Sequence, residues 1–309
     1  MPAVKPTSEL SVVTGAFGYT GRYIARRLLA GGERVRTITG HPDRPDPLGG
    51  QVEVAPMDFD DHEGLVRGLA GAATLFNTYW IRFSRGEVTH ERAVENSRAL
   101  IGAAEDAGVR RIVHISITGA SSGSHLPYFR GKGEVEEAVA GSRMSHAIVR
   151  PALVFGGEDV LANNIAWALR RFPVFPMFGP GDYPVQPVFV EDLAEIAVAA
   201  GRESRDMAVD AVGPETLTFE GLVRLIADMT GSPARIVHVR PGLAFALTTL
   251  VGWLVRDVVL TRDEIEGLMA GLLVSDAPPT GATGFSGWLA ENGGTLGRRY
   301  ASELDRHYR

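Results

Sequence analysis

Eight residues near the start of the chain, Thr14-Gly15-Ala16-Phe17-Gly18-Tyr19-Thr20-Gly21, constrain its fold more than any other feature. The apolar run Leu10–Thr14 precedes them. Ile24, Ala25, Leu28 and Leu29 follow at helical spacing until Gly31-Gly32 stops the pattern. The glycines therefore occupy the turn between a first strand and a first helix. Gly15 permits a tight turn, Gly18 lets the backbone approach a pyrophosphate, and Gly21 lets the helix close on the sheet. The arriving helix N-terminus offers N–H donors and positive dipole to an anion. A turn kept only for packing needs neither this spacing nor this place in the chain, so the reading is a dinucleotide-binding turn.

The alternation continues. Val35–Thr39, Val52–Ala55, Ala73–Asn77, Arg111–Ile115 and His146–Arg150 read as further strands. Between them lie helices capped by Asp60 or Asp61 and by Thr89, and a third near Gly131–Ala140. Strands alternating with helices of this length imply right-handed crossovers and a doubly wound parallel α/β sheet. At 309 residues one core is near its limit, so a smaller lobe is expected beyond a boundary near residue 155.

That second half reads differently. Phe172–Pro187 is crowded with Pro, Gly and aromatics, which predicts an irregular wall. Val188–Ala200 begins as a strand and becomes a helix, Met207–Val212 is placed to rejoin the main sheet, and Phe219–Thr230 is amphipathic. Thr261 and Glu264 form a capping-box pattern ahead of a helix to about Leu272. Pro241–Val255 is uncharged but shorter than the ~20 residues a membrane span needs. It predicts a buried or lid helix, with a membrane or partner surface as the alternative that Trp253 and Arg256 keep open.

Composition narrows the chemistry. The net charge of −6 argues against nonspecific nucleic-acid binding. The absence of cysteine removes disulfides, thiolate metal sites and a Cys nucleophile. The eight histidines form no metal-ligand spacing, so no metal is expected. Gly119–Gly123 is not a nucleophile elbow. Arg26-Arg27, Arg110-Arg111, Arg170-Arg171 and Arg298-Arg299 read as solvated helix faces. Met1–Leu10, with Lys5 and Glu9, lacks an apolar secretory core, so a cytoplasmic location is expected.

The second strand ends Thr37-Ile38-Thr39-Gly40-His41 without the acid that an NAD site usually places there. Arg22 follows the last glycine directly, and Arg36, His41 and Arg44 lie nearby. Guanidinium groups in place of a carboxylate favour a 2′-phosphate, hence NADP(H) over NAD. Asp58-Phe59 is placed to border the adenine, although Asp58 equally suits a helix-leading cap.

Only two lysines occur among 31 basic residues, and one of them, Lys132, lies four residues after Tyr128. On a helix this spacing puts both on one face. A neighbouring ammonium favours the phenolate of a tyrosine and so makes proton exchange with a carbonyl or alcohol feasible.

Together these motifs resemble the short-chain dehydrogenase/reductase superfamily in its extended, epimerase/dehydratase-like branch. The resemblance spans the chain through the glycine turn, Asp58, the Tyr128/Lys132 pair, Val149–Gly156 and Gln186–Ala194. The second half is most similar to the NADPH-binding accessory subunit of respiratory complex I and its bacterial relatives. What the resemblance implies is a Rossmann domain over residues 1–155. A mainly substrate-binding lobe would cover 156–309, with segments near 186–212 returning to the first domain. It implies catalytic Tyr128, Lys132 and a hydroxyl after the fifth strand, with Thr118 preferred and Ser116, Ser121 and Ser122 as alternatives. Cofactor contacts would come from Gly15, Phe17, Gly18, Tyr19, Thr20, Gly21, Arg22, His41, Asp58, Phe59, Asn77 and Lys132, and from Pro151 and Leu153 beside the nicotinamide. Asn77-Thr78-Tyr79-Trp80 departs from the family by placing rings where small residues are common. The expected activity is hydride transfer between nicotinamide and a carbonyl or alcohol carbon of a small substrate, a hydrophobic one by the aromatic content of 172–187. A non-catalytic cofactor-binding or redox-sensing protein is the alternative.

Overall fold

The computed structural model describes residues 9–304, so Lys5 and the last five residues lie outside it. The described chain forms two compact units, one of residues up to Arg150 with Leu193–Val209, the other of Pro151–Asp192 with Asp210 onward.

In the first unit the elements alternate as β1 (Leu10–Thr14), α1 (Tyr19–Ala30), β2 (Arg34–Thr39), β3 (Val52–Pro56), α2 (His62–Leu69), β4 (Ala72–Asn77), α3 (His90–Asp106), β5 (Arg111–Ile115), α4 (Pro127–Ala140) and β6 (Ser145–Pro151). Every residue of β1 and β5 is buried, as expected of parallel strands covered on both faces. Asp61 caps α2 through its carboxylate and Thr89 caps α3 through its hydroxyl. Helix α4 begins at Pro127, earlier than the expected Gly131, because proline suits the first helical position.

The sheet order is β11-β6-β5-β4-β1-β2-β3, and β6 through β3 pair in parallel throughout. The chain winds outward from β1 in one direction through β2 and β3, and in the other through β4, β5 and β6. The reversal lies between β1 and β4, and a crevice outside their carboxyl ends is where such sheets bind ligands. Two bonds lock these ends: the Thr78 N–H donates to Thr14 Oγ1 at 2.7 Å, and the Thr78 hydroxyl donates to the Thr14 carbonyl at 2.6 Å.

The second unit holds β7 (Leu153–Phe155), α5 (Val160–Arg171), β8 (Val174–Phe178), β9 (Pro184–Val185) and β10 (Pro187–Phe189). There follow α6 (Val190–Arg202) and β11 (Met207–Ala211), which cross the unit boundary, and β12 (Leu217–Thr218), α7 (Phe219–Thr230), β13 (Arg235–Val239), α8 (Pro241–Val255), α9 (Arg262–Met269) and α10 (Phe285–Asn292). It has its own core, in which Phe155, Phe178 and Phe219 are almost fully buried.

The structure corrects two expectations here. Phe172–Pro187 is irregular only in part: β8 pairs in parallel with β13 along five residues, with Pro176 accommodated within it, and β9 forms a second short strand. Helix α8 is not buried. Only Ala244 and Gly252 are inaccessible, whereas Trp253 is 81% exposed. The capping box at Thr261 and Glu264 is present, but α9 ends at Met269 rather than Leu272.

The arginine pairs also diverge from a purely solvated role. Arg111 is buried on β5, where its guanidinium donates to the carbonyls of Ala200 and Arg205 and to Ser145 Oγ. Arg170 donates to the carbonyls of Leu296 and Thr230. A five-donor fork satisfied by carbonyls lets a cation serve as a cross-brace, which a pair pattern in sequence does not reveal.

Candidate cofactor and catalytic site

The glycine turn has the geometry its spacing predicts. Gly15 adopts φ +61°, a left-handed conformation that a side chain resists. A Cβ on Gly21 would lie 2.4 Å from the Gly15 carbonyl oxygen, so helix α1 can approach the turn only with glycine there. The turn is pinned from β2, with the Gly15 N–H donating to Ile38 O and the Ala16 N–H to Thr37 Oγ1 at 3.0 Å each. Gly18 caps α1 without a side-chain hydrogen bond, and the first turn contains no acid. A helix N-terminus of this kind, without a side-chain cap or acid, carries positive dipole toward the turn. Phe17, Tyr19, Thr20 and Arg22 flank the turn, all half-buried, and Tyr19 meets Tyr23 edge-on at 5.8 Å.

Beyond β2 and β3 lies a cavity of about 430 Å³ lined by Thr39, Gly40, Pro42, Asp58, Phe59 and Arg92, among others. Asp58 and Phe59 thus border an opening at the expected adenine end. The Asp58 carboxylate also accepts from the Asp60 N–H at 2.9 Å, in the turn that leads into α2, but the cap of that helix is Asp61 and not Asp58. His41 and Arg44 share the loop after β2, joined by Arg44 N–H to His41 O. Arg36 does not belong to this end: it binds Glu53 on β3 and donates to the carbonyls of Gly68 and Ala70 at the end of α2. Its position on β2 suggested proximity; the pleat aims it at the helix instead.

At the β4 end, Asn77 is fully buried and its carboxamide faces protein partners. Its Oδ1 accepts from Tyr79 N–H at 3.0 Å, and its Nδ2 lies 3.2 Å from His114 Nδ1. Burial, with Lys132 nearby, holds the His114 ring well below its usual titration range, so it is neutral. The Tyr79 ring lies tilted against Phe59 at 4.7 Å between centroids, and its hydroxyl accepts from Asn96 at 2.9 Å.

Tyr128 and Lys132 share one face of α4 and meet the same indole. Trp80 receives the Tyr128 ring edge-on at 6.0 Å and the Lys132 ammonium at 4.8 Å from its ring centre. Lys132 is buried and donates to the Ile115 carbonyl at 2.8 Å. Burial pushes its ammonium down from 10.5 to about 7, against the opposing charge of Glu136. Trp80 also packs so tightly on α4 that a Cβ at Gly131 would come within 2.8 Å of it. Sequence reasoning missed His90, which stacks on Trp80 at 6.0 Å and meets Tyr128 edge-on at 5.8 Å. Its one sequence signal is its place directly after the α3 cap.

Thr118 and Ser116 follow β5, both buried. Ser116 Oγ, Trp80 Nε1 and His114 Nε2 are buried without a hydrogen-bond partner among the described residues. Ser122 Oγ donates to Glu137 on α4, and Ser121 Oγ accepts from Gly123 N–H within the loop. Pro151 ends β6 and Leu153 starts β7 in the second unit. No group of His, Asp and Glu among the described residues has metal-binding geometry.

A profile of the NAD(P)H-binding family matches residues 15–161. The match runs from the glycine turn past β6, and it supports an extended, short-chain-dehydrogenase-like NAD(P)-binding assignment. Among relatives, a mitochondrial protein of Arabidopsis thaliana named NADH dehydrogenase [ubiquinone] 1 alpha subcomplex subunit 9 is 29% identical over 287 residues, covering 86% of this chain and 71% of that protein. The NADPH-dependent quinone oxidoreductase of Escherichia coli, solved with NADPH, superposes with a TM-score of 0.73 at 23% identity, over 92% of this chain and 98% of that one. Triphenylmethane reductase of Citrobacter sp., solved with NADP(H), gives 0.72 at 20% identity, over 93% and 95%.

Proposed function

We propose that the chain is an NADP(H)-dependent oxidoreductase acting on a small, hydrophobic carbonyl or alcohol compound. The observation that carries this reading is the α4 face, where Tyr128 and Lys132 meet one indole beyond the end of β4. The bound nicotinamide would supply or accept the hydride. Gly15, Gly18 and Gly21 would admit the pyrophosphate to the amides of α1, and Asp58 and Phe59 would border the adenine. Arg22, with His41 in the loop after β2, would receive a 2′-phosphate. Pro151 and Leu153 are assigned to the nicotinamide by the family resemblance.

In this reading Tyr128 exchanges the proton with the substrate oxygen. Lys132, one helical turn away, favours the phenolate when charged and offers hydrogen bonds to ribose hydroxyls. Thr118 donates to the substrate oxygen, with Ser116 as the neighbouring alternative. The preference for NADP(H) rests on the missing acid after β2, and it agrees with the cofactors of the two structural neighbours. An epimerase or dehydratase would use the same groups on a substrate that regains its hydride.

One observation favours a second reading. Trp80 covers the Lys132 ammonium and the Ile115 carbonyl engages one of its three donors, so a chain that keeps this cover with cofactor bound would hold the cofactor without turnover. The relative from Arabidopsis, a named subunit of a larger dehydrogenase, is compatible with such a role. Titration with NADPH and NADH, followed by a carbonyl screen on wild type and Tyr128→Phe, separates the two. Turnover lost in Tyr128→Phe with cofactor affinity kept within a few fold supports the enzyme. Turnover retained by the variant refutes the catalytic assignment, and absent turnover with tight NADPH binding supports the second reading.

A further inference from the structure

Helix α8 turns its more hydrophobic face outward. At 100° per residue, Leu243, Leu247, Leu250 and Leu254 form one stripe with Trp253 on its flank. Leu250 is 62% exposed and Leu254 68%. The inward face carries the smaller Ala244 and Gly252. This inverts the usual arrangement, in which the apolar stripe faces the core. The hydroxyls of Thr248 and Thr249 both donate to the Phe245 carbonyl, which leaves the Trp253 indole N–H as the side-chain donor on the outward side. Fifteen residues reach ~22 Å, short of the ~30 Å hydrocarbon core of a bilayer. No helix among the described residues is long and apolar enough to cross one.

Both ends of α8 are basic. Arg240 is its N-cap and Arg256 its C-cap, and Arg235 and Arg262 lie just beyond. From Ser232 to Arg262 these four arginines face a single acid, Asp257, in a chain whose net charge is −6. Asp257 is buried, and its carboxylate accepts from the Tyr300 hydroxyl and the N–H groups of Glu303 and Leu304. Three acids follow on α9, where Glu264 is engaged in the capping box. Arg262 itself leans back over Phe245 at 4.9 Å. Arg256 is the one non-glycine among the described residues with a positive φ, at 55°. Glycine would fill that cap without strain, so the guanidinium is kept there at a conformational cost.

We propose that α8 docks the protein on an anionic lipid surface. It lies parallel to the membrane, with the leucine stripe in the acyl boundary, Trp253 at headgroup depth, and Arg240 and Arg256 on lipid phosphates. Cationic groups at both ends of an apolar stripe complement a sheet of lipid phosphates over an acyl layer, and this match commits the face to lipid rather than to a protein partner.

The test is co-sedimentation of the full chain with phosphatidylcholine vesicles, with and without phosphatidylglycerol. The protein pellets with the anionic vesicles, stays in solution with the neutral ones, and is released as salt rises toward ~0.5 M. Leu250→Glu/Leu254→Glu reduces the bound fraction at least ~10-fold, and Arg240→Gln/Arg256→Gln weakens binding ~10-fold or more. Both variants keep the wild-type melting temperature, since they alter exposed side chains. Wild type left in solution with both vesicle types overturns the proposal, and so does a leucine variant that pellets like wild type. Self-association through this face in place of vesicle binding overturns it in favour of a second copy of the chain.

Discussion

Replacing Lys132 by methionine should stabilise the cofactor-free protein in acid while abolishing the chemistry. The folded ammonium titrates near 7 because Trp80, α4 and β5 exclude water from it, whereas the unfolded side chain titrates near 10.5. Below pH 7 both states hold the proton and the folded state carries the full cost of burying a cation. Between 7 and 10.5 the unfolded chain binds more protons than the folded one, so wild-type stability rises with pH. At ~1.4 kcal/mol per unit, the interval from 7 to 9 is worth about 3 kcal/mol. Methionine has similar bulk and no titrating group, so Lys132→Met lacks this slope. The Ile115 hydrogen bond, which amine and ammonium both donate, is lost at both pH values, and the charge-dependent part of the Trp80 contact belongs to the folded pKa itself. Urea unfolding of both proteins at pH 6 and pH 9 isolates the effect. The stability of the variant relative to wild type should fall by about 3 kcal/mol from acid to base. A difference below about 1 kcal/mol would refute the burial argument, because the amine would then be titrating as if in water.

Gly21→Ala must push its methyl group into the Gly15 carbonyl, so thermal unfolding should show a loss of about 1–3 kcal/mol and cofactor titration a loss of binding. Gly18→Ala, whose Cβ would sit 3.1 Å from the same oxygen at an ordinary φ, should lose less in both assays. Arg36→Ala frees two helix-end carbonyls and should cost about 1–3 kcal/mol in a melt, while the NADPH-to-NADH affinity ratio stays unchanged. Arg22→Ala should weaken NADPH about tenfold more than NADH by calorimetry, ~1.4 kcal/mol of selectivity. Equal losses for both cofactors would mean that Arg22 reads only the pyrophosphate they share.

The first sheet was legible because its strands are short apolar runs punctuated by glycine and by capping Asp and Thr, signals that local sequence carries on its own. Strand β8 was not, because Pro176 and the flanking prolines read as breakers until β13 supplies a partner sixty residues later. The extent of α8 was plain from its uncharged run, but an uncharged helix looks the same whether protein or solvent faces it. At the candidate site, the turn and the Tyr128/Lys132 spacing could be read directly. The lid of Trp80 over Lys132, the His90 stack and the commitment of Arg36 to α2 are contacts between distant segments. The bulky Trp80 was a visible anomaly after β4, though its target was not.

Arg111 gives the first unit a temporal order. Its buried guanidinium finds acceptors at Ala200 and Arg205, and Gly201 packs against the Phe76 ring, so β4 and β5 are finished by chain made well after β6. At ~5–20 residues per second, synthesis from Arg150 to Val209 takes roughly 3–12 s. For that interval the nascent sheet carries a cation with only one of its three acceptors, Ser145 Oγ, in place, and a bare aromatic surface on its flank. A chain cut after Arg150 would keep that state permanently, and chaperones would meet it as an unfinished protein however well its glycine turn had formed.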